Sequence, residues 1–193
     1  MDEARRVALY RLLGYGFTYP GADFVAQMRE RVRPLQDGRS GDLPLSPLLQ
    51  AVEALEGLPL PRLQAEHTRL FINNFPRLPA PPHESVYREG RLMGEASAEL
   101  LALYGAWGLE AEPTMADHIG AELEFMAFLA ALPAEAETLT ARRAFLRDHL
   151  LAWAPAFAED VEQAAELPFY RALAQLLRVF LRQEEARLLL TPR

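Results

Sequence analysis

The chain predicts an all-α fold, a helical bundle of about eight helices forming a single domain over residues 1–193. Three observations carry that expectation. Apolar residues recur at helical spacing almost throughout. No stretch alternates apolar and polar positions between turn dipeptides. Half of the 193 residues are hydrophobic, enough for one well-buried core. The first helix, about 3–18, carries Leu9, Leu13 and Phe17 four apart, and the second, 22–34, repeats the spacing with Phe24, Met28 and Val32. Pro34 to Pro47, with Gly38, Ser40 and Gly41, forms the next stretch, a polar connector that is flexible over about 35–46. Helices at 46–56 and 61–73 come next. The proline-rich loop near 74–87 is of another kind, because prolines at 76, 79, 81 and 82 exclude helix and stiffen the chain before Glu84, Ser85 and Tyr87. Such a loop suits a binding surface and serves equally as a strut. Helices at 91–107, 115–132, 138–164 and 168–190 complete the chain. The third of these is marked by Leu146, Leu150, Trp153 and Phe157, the last by Leu173, Leu176, Leu177 and Phe180.

Charge is distributed unevenly. The net charge is -7, yet Leu92 to Ala141 holds nine acidic residues and no basic one. The window therefore carries -9 and the remainder, with twenty basic and eighteen acidic residues, +2. A localised acidic face predicts a basic partner and excludes nucleic acid as the main ligand, since phosphate binding needs clustered cations. Every basic residue is Arg, which points to genome composition or thermal adaptation before function. Without cysteine there is no disulfide, thiolate nucleophile, Cys-ligated zinc or iron-sulfur cluster. Arg5-Arg6 is not expected to be an export signal: acidic residues precede it and Arg11 interrupts the apolar stretch after it. No apolar run approaches the roughly 20 residues of a membrane span, so no integral membrane segment is expected.

Within the acidic window, Pro113 to Leu129 places charge where a core should be. Thr114 and Asp117 have the spacing of a capping box, which accounts for Asp117. It does not account for His118, Glu122 and Glu124 among Ile119, Leu123, Phe125 and Met126, because burying carboxylates costs several kcal/mol unless they are paired. With no basic neighbour in sequence, the partner must come from a distant helix or another molecule. His118 and Glu122 stand four apart, a spacing that offers two metal ligands beside Asp117. A divalent-metal hydrolase built on these three residues is the alternative of another class. It lacks a third ligand, since His67, His83 and His149 are scattered. Ser85 has no nucleophile elbow, and phosphate-loop and dinucleotide fingerprints are absent. His149, Trp107 and Trp153 read as core or boundary residues.

Three ordered segments resemble the TorD/DmsD/NarJ family of redox enzyme maturation chaperones, with the TorD-like branch closest in pattern. They are Glu66-His-Thr-Arg-Leu-Phe-Ile72 running into Pro82-His-Glu-Ser-Val-Tyr87; Asp117-His118-Ile119 with Glu122-Leu-Glu-Phe-Met126; and Phe145-Leu-Arg-Asp-His149-Leu-Leu-Ala-Trp153 with Pro155 and Phe157. One departure is that three residues separate Pro113 from Asp117, where the family commonly has Pro very close. The resemblance implies a cytoplasmic, non-enzymatic, all-helical chaperone without cofactor or metal of its own. It would bind the twin-arginine signal peptide of an apo-molybdoenzyme catalytic subunit, assist cofactor insertion and prevent premature export. A NarJ-like assembly chaperone for a non-exported nitrate-reductase-type subunit fits the same residues. The implied client-binding residues are Glu84, Ser85, Tyr87, Asp117, His118, Glu122 and Glu124. Asp117, Glu122 and Glu84 or Glu124 would take the arginines by charge-assisted hydrogen bonds, and Tyr87 and His118 the apolar segment. A monomer is expected, with a helix-swapped dimer as the alternative, and a pH-sensitive release through His118 stays open.

Overall fold

The computed structural model describes residues 1–36 and 43–190, the side chain of Leu190 excepted. Half of the expected connector over 35–46 falls on residues 37–42, outside the described ones. The helices are α1 (Glu3–Gly16), α2 (Phe24–Val32), α3 (Leu45–Ala54), α4 (Leu60–Phe71), α5 (Glu84–Glu89), α6 (Glu95–Ala106), α7 (Ile119–Ala131), α8 (Ala136–Phe145), α9 (Leu151–Ala164) and α10 (Pro168–Glu185). A π-helical stretch, Leu146–Leu150, joins α8 to α9, so the long helix expected over 138–164 is one continuous path. The fold is all-α as the periodicity demands; among the described residues the extended pairing is a single antiparallel bridge, His83 with His118. No helix among them is long and apolar enough to cross a membrane.

Local chemistry accounts for the helix ends. Asp2 accepts from the Arg5 amide at 2.8 Å to start α1, and Pro168 stands at the opening of α10, where a missing N–H costs nothing. The short helix α5 was not anticipated inside the proline-rich loop. The prolines end at Pro82, and six residues carry no periodic signal; Gly90 closes α5 in the left-handed region at φ 72°.

Every apolar residue assigned to the core by spacing is buried, none more than 4% exposed. The principal packing is α1 along α7 and α9 along α10. Where α1 meets α7 the backbones nearly touch. A Cβ on Gly14 would lie 3.2 Å from the Gly120 carbonyl oxygen, and one on Gly120 would lie 3.2 Å from that of Gly14. This approach sets the start of α7 against the end of α1. At the other end of α1, Arg6 Nε donates to Glu184 at 2.6 Å and the Tyr10 hydroxyl donates to the same carboxylate at 3.0 Å, tying α1 to α10 through a buried ion pair.

Candidate functional site

The proline-rich loop is fastened to the segment before α7 by backbone hydrogen bonds on both sides of the His83–His118 bridge. The Glu84 N–H donates to the Asp117 carbonyl and the Ile119 N–H to the Pro82 carbonyl, both at 2.9 Å. Asp117 does not open α7. His118 is the N-cap, its Nδ1 accepting from the Gly120 N–H at 3.0 Å, while Thr114 lies in a 3-10 turn, so the expected capping box does not form. Asp117 instead caps a helix distant in sequence: its Oδ2 accepts from the Ser85 N–H at 3.0 Å at the start of α5, and Oδ1 meets His83 Nδ1 at 3.2 Å. Burial disfavours its charge, but the hydrogen bonds from His83 and Ser85 outweigh that and hold its pKa well below the usual carboxylate range.

Beneath this corner, Glu84 and Glu122 are fully buried. Glu84 accepts from Arg88 and lies 3.0 Å from Nδ1 of His149, which the π-helical stretch carries inward. Glu122 accepts from Trp153 Nε1 at 3.2 Å and hydrogen-bonds Glu84. Desolvation, then the charge of Glu84, push the Glu122 pKa well up and favour its protonated form. The partner demanded by these buried carboxylates is thus supplied by distant helices.

The placement corrects the expected roles. Asp117, Glu84 and Glu122 are at most 1% exposed and already engaged, so they cannot meet arginines of another molecule directly. Ser85 is equally buried. Tyr87 donates to Asp160 at 2.8 Å and lines a separate recess with Arg77, Pro81 and Val86. The two-ligand reading of His118 and Glu122 fails on geometry: the former caps its helix through Nδ1, the latter is taken by Trp153 and Glu84, and no group of three His, Asp or Glu among the described residues is arranged for a metal. His149 and Trp153 are buried, as their spacing implied.

His118 and Glu124 do face a common space. An apolar groove of about 420 Å³ runs between the end of α1, the end of α4, the proline-rich loop and the start of α7. His67, Phe71, Pro82, His83, His118 and Glu124 are among its walls, and Tyr19, Ile72 and Met115 stand half-exposed around it. Ala121 and Glu124 also border a second recess of about 290 Å³ with Glu110 and the rings of Tyr104, Phe125 and Phe128. Glu124 is exposed, with a long contact of 3.9 Å to Arg11. Burial, with neighbouring His83 and His67, lowers the His118 pKa to about 3, so it stays neutral wherever a physiological release switch would act. From sequence His67 and His83 stood only as scattered histidines inside the first family-like segment, with no role assigned, because the groove joins segments far apart in the chain. A larger recess of about 440 Å³, between α2 and α3, shares no residue with this site, and its Arg29 and Arg33 are paired with Glu56 and Glu30.

Comparison with known proteins bears on this arrangement. The nitrate reductase delta subunit family matches residues 39–159. The chain is 31% identical over 173 residues to a chaperone protein TorD of Vibrio cholerae serotype O1, covering 83% of this chain and 78% of that one. It is 35% identical over 127 residues to a Tat proofreading chaperone DmsD of Salmonella typhi, covering 63% and 60% respectively. The crystal structure of an Archaeoglobus fulgidus protein described as a redox enzyme maturation protein superposes with a TM-score of 0.67 at 28% identity, covering 92% of this chain and 93% of that one.

Proposed function

The chain belongs to the nitrate reductase delta subunit family, which takes in the TorD and DmsD chaperones, and from that premise we propose that it is a cytoplasmic maturation chaperone for a molybdenum-cofactor oxidoreductase. It holds the twin-arginine signal peptide, or an equivalent segment, of the apo-enzyme until cofactor is inserted. The observation that carries the reading is the apolar groove with an acidic rim, at the corner where two of the three family-like segments meet. An apolar stretch of about the right chemistry fills the groove against Phe71, Ile72, Pro82 and Met115. Glu124 and Glu110, which border the second recess, receive the arginines, and its aromatic rings give the guanidinium planes a surface. Asp117, Glu84 and Glu122 act one layer back by fixing the loop and His83 in place.

Calorimetric titration with signal peptides of the source's own molybdoenzymes, and with versions in which both arginines are alanine, tests the proposal at two salt concentrations. Micromolar or tighter binding that needs the arginines and weakens with salt is expected. Absence of binding by every such peptide to folded protein overturns it. The matching family's description favours a second reading, an assembly chaperone whose nitrate-reductase-type client is not exported. That reading predicts capture of a client lacking the twin-arginine motif.

A further inference from the structure

The groove and the second recess lie side by side along α7. Gly120, Ala121 and Glu124 border the groove, while Ala121, Glu124, Phe125 and Phe128 border the recess, so Ala121 and Glu124 are a shared wall. The wall supplied by the end of α4, with Phe71 and Ile72, belongs to the groove and not to the recess. Charge divides the same way. Glu124 stands on the shared wall and Glu110 borders the recess, and both are exposed. The one carboxylate of α4, Glu66, is 1% exposed and held by Arg69 and the Glu166 amide. The chain after α4 carries an exposed cation, Arg77, and no acidic residue before Glu84.

That chain also leaves the groove with apolar surface in water. Phe75 is 93% exposed, the most open large hydrophobic among the described residues, and Ile72 in the groove wall is 56% exposed. Three residues span at most about 11 Å, so Phe75 stays close to the groove's edge. Its loop returns to the groove at Pro82, and the Ala80 N–H fastens it to the Leu70 carbonyl at 3.1 Å. A proline-stiffened loop of this kind meets a partner with little ordering cost. A signal segment carries its basic residues before its apolar stretch. Arginines placed at the α4 wall would be desolvated without a counter-charge, whereas in the recess they meet Glu110 and Glu124. Resting on the chaperone reading above, we propose that the client segment crosses this corner in one direction, from arginines in the recess between α6 and α7 to apolar residues at the end of α4. The client chain that follows the apolar stretch leaves over Ile72 and Phe75, which form its contact surface.

The test uses the unaltered, isotope-labelled protein and twin-arginine signal peptides of the source's own molybdoenzymes. Each is made in a short form that ends with the apolar stretch and a long form that continues into the mature sequence. A nitroxide at the amino terminus of the long form should broaden the amide resonances of Leu109, Glu110 and Ala111. Moved to its carboxyl terminus, the nitroxide should broaden those of Ile72, Asn73 and Phe75 instead. The long form should also shift the ring resonances of Phe75 and bind about two- to fivefold more tightly than the short form, which leaves that ring unmoved. The opposite pattern of broadening, equal broadening of both segments by either nitroxide, or a continuation that adds neither affinity nor a Phe75 shift overturns the assignment while sparing the chaperone reading. Failure of every peptide to bind overturns both.

Discussion

Two buried charged clusters in this molecule are built on opposite balances. At the α1–α10 contact, the Glu184 carboxylate is surrounded by Arg6, Arg187 and the Tyr10 hydroxyl, so every buried charge has an opposite close by. At the meeting of α5, α7 and α9, Asp117, Glu84 and Glu122 outnumber the one arginine that pairs with them among the described residues, Arg88, and rely on His83, His149, Trp153 and a backbone amide. The first cluster shares no residue with the groove; the second supports two of its walls, His83 and His118. Burial of charge alone therefore does not mark a functional site. A surplus of one sign beside an open apolar groove is the more informative feature.

Breaking the balanced cluster should have the largest effect. Glu184→Ala leaves Arg6 buried without its partner and should cost about 3–5 kcal/mol in denaturant unfolding, while the folded fraction binds twin-arginine peptide as before. A loss under about 1 kcal/mol would put the two clusters on the same footing. Asp117→Ala removes the α5 cap and the His83 contact, with an expected loss of about 1–3 kcal/mol and weaker peptide binding. Because the Asp117 pKa is depressed in the folded state, its contribution is present above about pH 4 and is lost as pH falls below that; Asp117→Asn should flatten the acid limb of the stability profile.

Glu122 has the opposite sign. Its folded pKa is raised, so ionisation opposes folding as pH climbs above the ordinary carboxylate range. Glu122→Gln keeps a donor for Glu84 and an acceptor for Trp153, and should be no less stable than the parent at about pH 5 and progressively more stable toward about pH 8. A loss of more than about 1 kcal/mol at about pH 8 would show that the carboxylate is charged in place. The smallest structural effect belongs to the rim: Glu124→Gln should shift stability by less than about 0.5 kcal/mol, yet weaken peptide binding about two- to fivefold at low salt with a shallower salt dependence.

The helical periodicity of Leu9, Leu13 and Phe17, or of Leu146 to Phe157, was legible because each helix buries its own apolar stripe whatever it packs against. The acidic window was legible as a charge pattern, and with it the expectation of unusual carboxylates at Asp117 and Glu122. Their roles were not, since Asp117 caps a helix that begins over thirty residues earlier and Glu122 finds Trp153 about as far along the chain. Seven of the window's nine acidic residues remain exposed, so most of its charge is free for a partner even though the most conspicuous carboxylates are not.

By itself, then, the order of residues determined an all-helical chain, its core positions and a segment with too much buried acid. Only tertiary packing decided which carboxylates turn inward and that His67, His83 and His118 line one groove. The physical reason is range: helical periodicity acts over three or four residues, whereas desolvation and hydrogen bonding depend on whatever distant segment the fold brings within about 3 Å.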